Sequence, residues 1–270
     1  MEKLKISAIQ MSSKIGDKKA NIEKIKSLIE RDISNDVDII ILPEVWTVGW
    51  SPKHFQESAE NIENSETISF LKKIAIKYNS WIIGGSIITK ENGKYYNTCP
   101  VIDRKGNLIA TYSKNHLFSY YGCAEGSYLD VGSSPVMVNI EGKKVGLTIC
   151  YDIRFPEIYR AYRKAGADIL VNCAAWGLKK PIPWECMTRS RAVENQTFMV
   201  ALTQSGYIEN DEWNIGHSRI IDYKGESLAE IKDQNEGAMT AILDFAPMYE
   251  FRNKCKCIDD IRKNYEVKTV

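Results

Sequence analysis

The sequence predicts an α/β fold in which helices cover sheet, and three observations carry that expectation. Short apolar runs rich in β-branched residues alternate along the chain with amphipathic helical stretches. No linker rich in Ser, Gly or Pro and no charge block divides the 270 residues, so residues 1–270 read as a single domain. A carboxylate, an ammonium and a thiol each stand just beyond the end of a different apolar run, as in open α/β proteins that assemble a site from chain-distant residues. Periodicity alone does not decide between one doubly wound sheet and two stacked sheets.

Residues 4–10 read as a strand. Asp17 is placed to cap a helix over 17–32 with Ile22, Ile25 and Ile29 on one face. A strand over 37–42 leads to Glu44, and a helix over 67–78 turns Phe70, Leu71, Ile74 and Ala75 inward. Residues 81–88 form a strand interrupted at Gly84-Gly85. Two hairpins follow, 95–103 with 108–112 around Arg104-Lys105-Gly106-Asn107, and 136–140 with 144–149 around Glu141-Gly142-Lys143. Next come helix 156–165, strand 168–173, helix 184–195 and strand 197–204. A hairpin of 217–222 and 226–231 turns at Tyr223-Lys224-Gly225, and strand 238–243 precedes a last helix from Pro247.

The segment from Gly146 to Glu157 is the most informative. Cys150 ends an apolar run, and Phe155-Pro156-Glu157 reads as a helix start with proline in its first turn. The thiol therefore sits on a tight strand-to-helix corner, exposed at the strand's carboxyl end, with helix-start N–H groups nearby. Most free cysteines are simply small buried hydrophobes. Here Ile39-Ile40-Ile41-Leu42-Pro43-Glu44 ends a second strand in a carboxylate, and Tyr112-Ser113-Lys114-Asn115-His116-Leu117-Phe118 sets a lysine after a third. Taken singly, such a glutamate is more often a turn residue and such a lysine a solvated cation.

In this order, Leu42-Pro43-Glu44, the Lys114 block and Cys150-Tyr151-Asp152-Ile153-Arg154-Phe155-Pro156-Glu157 resemble the three motif blocks of the nitrilase, or carbon–nitrogen hydrolase, superfamily. The similarity runs over nearly the whole chain: residues 1–10 look like the family's first strand, 184–196 like its late helix, and Gly216-His217-Ser218 like its final strand on the active-site side. The resemblance implies a four-layer α-β-β-α sandwich, pairing of subunits into a homodimer or higher homo-oligomer, and no metal or organic cofactor. It implies Cys150 as nucleophile, Glu44 as general base, and Lys114 with the N–H of Tyr151 as stabilisers of the oxyanion. A second glutamate of the family corresponds to Glu125, which would orient the substrate or the lysine. Ser119-Tyr120-Tyr121-Gly122 ahead of it departs from the usual family pattern.

The Cys150 block looks most like the ω-amidase branch, which acts on ω-amides of short dicarboxylates such as 2-oxoglutaramate and releases ammonia. True nitrilases commonly carry tryptophan where Tyr151 stands. An N-carbamoyl amidohydrolase and a catalytically silent member of the fold are the alternatives. Arg154 presents a planar fork suited to a substrate carboxylate, or else pairs with Asp152, Glu157 or Glu194. Trp176, Tyr120, Tyr121 and Trp46 either wall a pocket or are core and interface aromatics. Pocket shape is expected from loops 46–56, 118–132 and 176–184.

His116 and His217 read as packed, hydrogen-bonding residues, and His54 as exposed. Arg189, Arg191 and Glu194 share a helix as scaffold or subunit contact. No histidine pair has zinc-ligand spacing, and Cys255-Lys256-Cys257 reads as incidental. A net charge of +1 without a basic, aromatic-interleaved stretch argues against nucleic acid, and the apolar runs are too short for a membrane span. The start of the chain shows no signal-peptide core, and seven scattered cysteines favour a reducing cytoplasm. The expected partner is a small amide.

Overall fold

The computed structural model describes every residue except Met1, Tyr121, Gly122, Lys263, Tyr265 and Val270. Its strands are β1 (Lys3–Gln10), β2 (Ile39–Ile41), β3 (Trp81–Ile83), β4 (Ile87–Glu91), β5 (Lys94–Ile102), β6 (Leu108–Ser113), β7 (Met137–Ile140), β8 (Lys143–Ile149), β9 (Ile169–Ala174), β10 (Phe198–Thr203), β11 (Ser205–Tyr207), β12 (Trp213–Ile215), β13 (Arg219–Ile221), β14 (Ser227–Glu230) and β15 (Gly237–Asp244). The α-helices are α1 (Lys18–Asp32), α2 (Glu66–Tyr78), α3 (Pro156–Lys164), α4 (Pro181–Asn195) and α5 (Phe245–Lys254).

One sheet runs β15-β1-β2-β3-β5-β4, with β6 also paired to β5; the other runs β14-β13-β10-β9-β8-β7. Both are parallel at their centres, through β1-β2-β3 and β8-β9-β10. Period-two alternation explains the layering. Ile39 and Ile41 join the core between the sheets, while Ile40 and Leu42 join the core under α1 and α2. In β8, Thr148 turns to α3, where its hydroxyl meets the Tyr159 hydroxyl at 2.6 Å. A Cβ on Gly146 would stand 2.8 Å from the Tyr162 ring, so glycine lets α3 approach the sheet.

The sheets lie back to back, β1 against β10 and β15 against β13 and β14. Helix α1 covers β15, α2 covers β3 and β5, and α4 covers β10 and packs on α3. The result is a single-domain four-layer α-β-β-α sandwich, as the resemblance implied. Among the described residues no helix is long and apolar enough to cross a membrane.

Asp17 caps α1 as expected, accepting from the Ala20 N–H at 3.0 Å. The strand expected over 81–88 divides into β3 and β4, because Gly85 adopts φ +65° with no room for a side chain: a Cβ there would lie 2.0 Å from the Pro43 carbonyl oxygen. Helix α4 begins at Pro181, three residues early, with proline at its first position. Helix α5 begins at Phe245, capped by Asp244, rather than at Pro247. The 217–222 strand shortens to β13, since His217 takes φ 56° at the bend before it. The β11–β12 hairpin has no counterpart in the sequence-based elements.

Candidate active site

Beyond β2 the chain turns sharply, and Val45 takes φ 40°, an unusual conformation for a β-branched residue. The break between β3 and β4 braces it: the Val45 N–H donates to Ser86 Oγ (3.0 Å), the Ser86 N–H to the Pro43 carbonyl (3.0 Å), and Trp46 Nε1 to the Gly84 carbonyl (2.9 Å). Gln204 Nε2 holds the Glu44 carbonyl at 2.6 Å. The strain aims the Glu44 side chain at the gap between the sheets, where Oε2 accepts the Ala175 N–H at 2.7 Å.

Lys114 follows β6. Its ammonium donates to Glu44 Oε1 at 2.9 Å and to Glu125 at 2.9 and 3.1 Å, above the Trp50 ring at 5.2 Å. Asn97 on β5 ties the same carboxylates together, its Nδ2 donating to Glu44 Oε1 at 2.9 Å and Glu125 Oε1 at 3.3 Å. Glu125 also accepts the Phe118 N–H at 2.6 Å. Glu44, Lys114 and Glu125 are fully buried, and Cys150 nearly so.

Cys150 is at φ 45°, where β8 passes into the short turn Cys150–Arg154. Asp152 fixes this corner to the lysine loop. Its Oδ2 accepts from the Tyr112 hydroxyl (2.6 Å) and the Ile149 N–H (2.9 Å), and its Oδ1 meets the His116 N–H (3.0 Å) and Nδ1 (2.7 Å). His116 also stacks on Phe155 at 3.7 Å, a structural role. Arg191 closes the far end, donating through Nε and Nη2 to the Ile153 carbonyl and through Nη1 to Glu194.

Burial raises the Glu44 carboxyl above its usual range despite the opposing pull of Lys114. Burial and then the Glu44 charge push the Cys150 thiol well up, so the resting thiol keeps its proton at neutral pH. Burial alone would depress Lys114, but Glu125 and Glu44 overcome it and hold the ammonium firmly protonated. A protonated thiol, a carboxylate inclined to accept a proton and a fixed cation thus meet in one buried cluster.

A cavity of about 470 Å³ opens onto Cys150. Trp50, Phe118, Tyr120, Trp176 and Lys180 are among its walls, drawn from the three expected loops, and residues 208–212 of the β11–β12 hairpin add a side that those loops did not include. Trp176 and Tyr120 line it; Trp46 instead sits in the core against Phe70. Tyr121 lies outside the described residues. The Tyr151 ring is not a wall residue and packs edge-on against Phe118 and Phe155. The Arg154 guanidinium lies 5.2–5.9 Å from the Trp176, Tyr120 and Tyr151 rings, and its buried Nε has no hydrogen-bond partner. The carboxylates offered as its structural partners are otherwise placed: Asp152 holds Tyr112 and His116, Glu194 pairs with Arg191, and Glu157 is exposed. His54 is only half-buried, beside Glu57.

Asn97, Asp152 and Lys180 escaped the sequence reading as site residues. A polar Asn at the start of the buried run of β5 was the one signal for Asn97; the other two became visible only once the loops were placed.

A sequence profile of the carbon-nitrogen hydrolase family matches residues 5–253. The chain is 36% identical over 259 residues to a 2-oxoglutaramate amidase of Bacillus subtilis (strain 168), spanning 96% of this chain and 98% of that one. It is 33% identical over 234 residues to a 2-oxoglutaramate amidase of Paenarthrobacter nicotinovorans, spanning 83% and 78%. The crystal structure of a Saccharomyces cerevisiae member of branch 10 of the nitrilase superfamily matches with a TM-score of 0.86 at 29% identity, over 94% of each chain.

Proposed function

The chain belongs to the carbon–nitrogen hydrolase family, and on that premise we propose that it hydrolyses the ω-amide of a short dicarboxylate, such as 2-oxoglutaramate, through a thioester on Cys150. Glu44 takes the Cys150 proton as sulfur attacks the amide carbonyl. Lys114 and the Tyr151 N–H face the oxyanion that develops. Collapse of the tetrahedral intermediate expels ammonia, which receives its proton from Glu44. Glu44, again ionised, draws a proton from water as it attacks the acyl-thioester, and the free acid and the thiol are restored. Glu125 holds Lys114 in place throughout, through its contacts at 2.9 and 3.1 Å.

One observation carries the substrate class: Arg154, ringed by aromatics beside the cavity, has a buried Nε without a partner and no ion pair to a protein carboxylate among the described residues. The far carboxylate of an acidic amide supplies what is missing. Arg154→Ala is expected to lower kcat/KM for 2-oxoglutaramate and succinamate by about 10- to 100-fold, the worth of a charge-assisted hydrogen bond, and to lower a neutral aliphatic amide much less. Equal losses on both would make Arg154 a structural residue.

The same proposal takes the enzyme to be cytoplasmic and homodimeric. Seven unpaired thiols suit a reducing compartment, and α4 exposes Ile182 and Val193 to a second subunit.

A further inference from the structure

Resting on the amidase reading above, we infer that Asn97 is a positioning residue that leaves Glu44 Oε2 as the one carboxylate oxygen of the buried cluster able to take the Cys150 proton. Asn97 lies within β5 and is wholly buried. Its Nδ2 donates to Glu44 Oε1 at 2.9 Å and to Glu125 Oε1 at 3.3 Å, and its backbone carbonyl accepts the Lys114 N–H at 2.9 Å. One strand residue thus sets the relative placement of all three charged groups. Ionised carboxylates only accept, so the amide must turn its NH2 toward them; a flipped amide would set Oδ1 against two anions. Oδ1 stays buried without a partner among the described residues, which is the consequence of turning the donor inward.

A carboxylate offers about four lone-pair sites, divided between its two oxygens. On Glu125, Oε1 receives Lys114 Nζ at 3.1 Å and Asn97 Nδ2, and Oε2 receives Lys114 Nζ at 2.9 Å and the Phe118 N–H at 2.6 Å. Glu125 is therefore saturated. On Glu44, Oε1 receives Lys114 Nζ at 2.9 Å and Asn97 Nδ2, while Oε2 receives only the Ala175 N–H among the described residues. The open site is on Glu44 Oε2. Without Asn97, Oε1 of each glutamate would open as well, and both already touch the same Lys114 ammonium. Two carboxylates placed so closely share a proton, and the base would hold it before substrate arrives. The other titratable groups acting on Glu44 do not relieve this. Lys114 is one charge against two, Glu125 raises the Glu44 pKa, and the Cys150 and Cys173 thiols are themselves pushed well up, by burial first.

Asn97→Leu removes the donor at similar volume, and Asn97→Asp keeps the shape while putting an acid where the donor was. Circular dichroism checks the fold of each, and either folded variant suffices. Two readouts are taken on the full-length enzyme. One is the pH dependence of kcat/KM for 2-oxoglutaramate. The other needs no substrate: the pH dependence of Cys150 alkylation by iodoacetamide, followed by peptide mass. Losing a donor disfavours ionised Glu44, so the acid limb of both profiles should move to higher pH. The expected shift in Asn97→Leu is about one pH unit or more, the worth of a hydrogen bond to a charged group, with KM little changed and most activity regained above the limb. Asn97→Asp should move the limb at least as far. If the limb stays in place while kcat falls at every pH, Asn97 is strand packing and the assignment of Oε2 fails. A risen KM with an unmoved limb would overturn it equally, by making Asn97 a substrate contact. If the wild-type enzyme releases no ammonia from 2-oxoglutaramate, the amidase reading fails separately. The alkylation limb then decides for Asn97: a shift upholds its role, and no shift removes it.

Discussion

At the floor of the cavity Glu44, Lys114 and Glu125 are 0% exposed and hold one another by direct contacts, whereas at its rim Glu209 and Glu212 reach out of the β11–β12 hairpin to Lys53 and Lys179 in water. An exposed pair contributes about 0–1 kcal/mol and rearranges readily. A buried charge that loses its partner costs several kcal/mol, so the floor survives only as a complete set. The backbone of the floor is braced as closely: Val45 and Cys150 sit in left-handed conformations, the first held by Ser86 in the break between β3 and β4 and the second beside the Ile149 N–H bond to Asp152. In the proposed reaction the floor does the chemistry, and the rim decides what reaches it.

Substitutions sharpen this division. The largest effect belongs to Cys150→Ala, which should retain the fold by circular dichroism and lose more than about 10³-fold in kcat; retained turnover would remove the nucleophile. Lys114→Ala should lower kcat by about 10²–10³-fold while KM moves less, and should also lower stability by about 3–5 kcal/mol in denaturant, because two buried carboxylates lose their cation. An unchanged kcat would detach Lys114 from the oxyanion.

Titration gives the next effect. A general base must be ionised to act, and the Glu44 pKa is raised, so kcat/KM should fall about tenfold per pH unit as pH drops through a value above the ordinary carboxylate range. An acid limb at the usual carboxylate position would mean that burial does not act on Glu44 as described. The smallest effect lies at the rim: Glu212→Gln removes one exposed pair and should alter KM by no more than about threefold, with kcat unmoved. A loss as large as that of Lys114→Ala would erase the distinction between rim and floor.

Much of the floor was legible because it rests on strand ends. Apolar runs stop where the chain must leave the sheet, so Glu44, Lys114 and Cys150 announced themselves by following such runs, and their order along the chain supplied the family. Layering followed from the alternation of Ile39 and Ile41 with Ile40 and Leu42. Other features depend on contacts between distant segments, which periodicity does not encode. Asn97 matters only because β5 runs beside both Glu44 and Lys114, and the break at Gly85 only because the Pro43 carbonyl passes against it. The β11–β12 hairpin, two strands of three residues each, is too short to show a pattern, which is why its side of the cavity was missed.

Ammonia release by the wild-type enzyme from 2-oxoglutaramate, succinamate, glutamine, an N-carbamoyl amino acid and a neutral aliphatic amide, compared at equal subsaturating concentration, tests the central claim most directly. The expected result is release from 2-oxoglutaramate and succinamate well above all others. Release confined to the carbamoyl compound, or fastest from the neutral amide, would contradict an ω-amidase acting on anionic substrates.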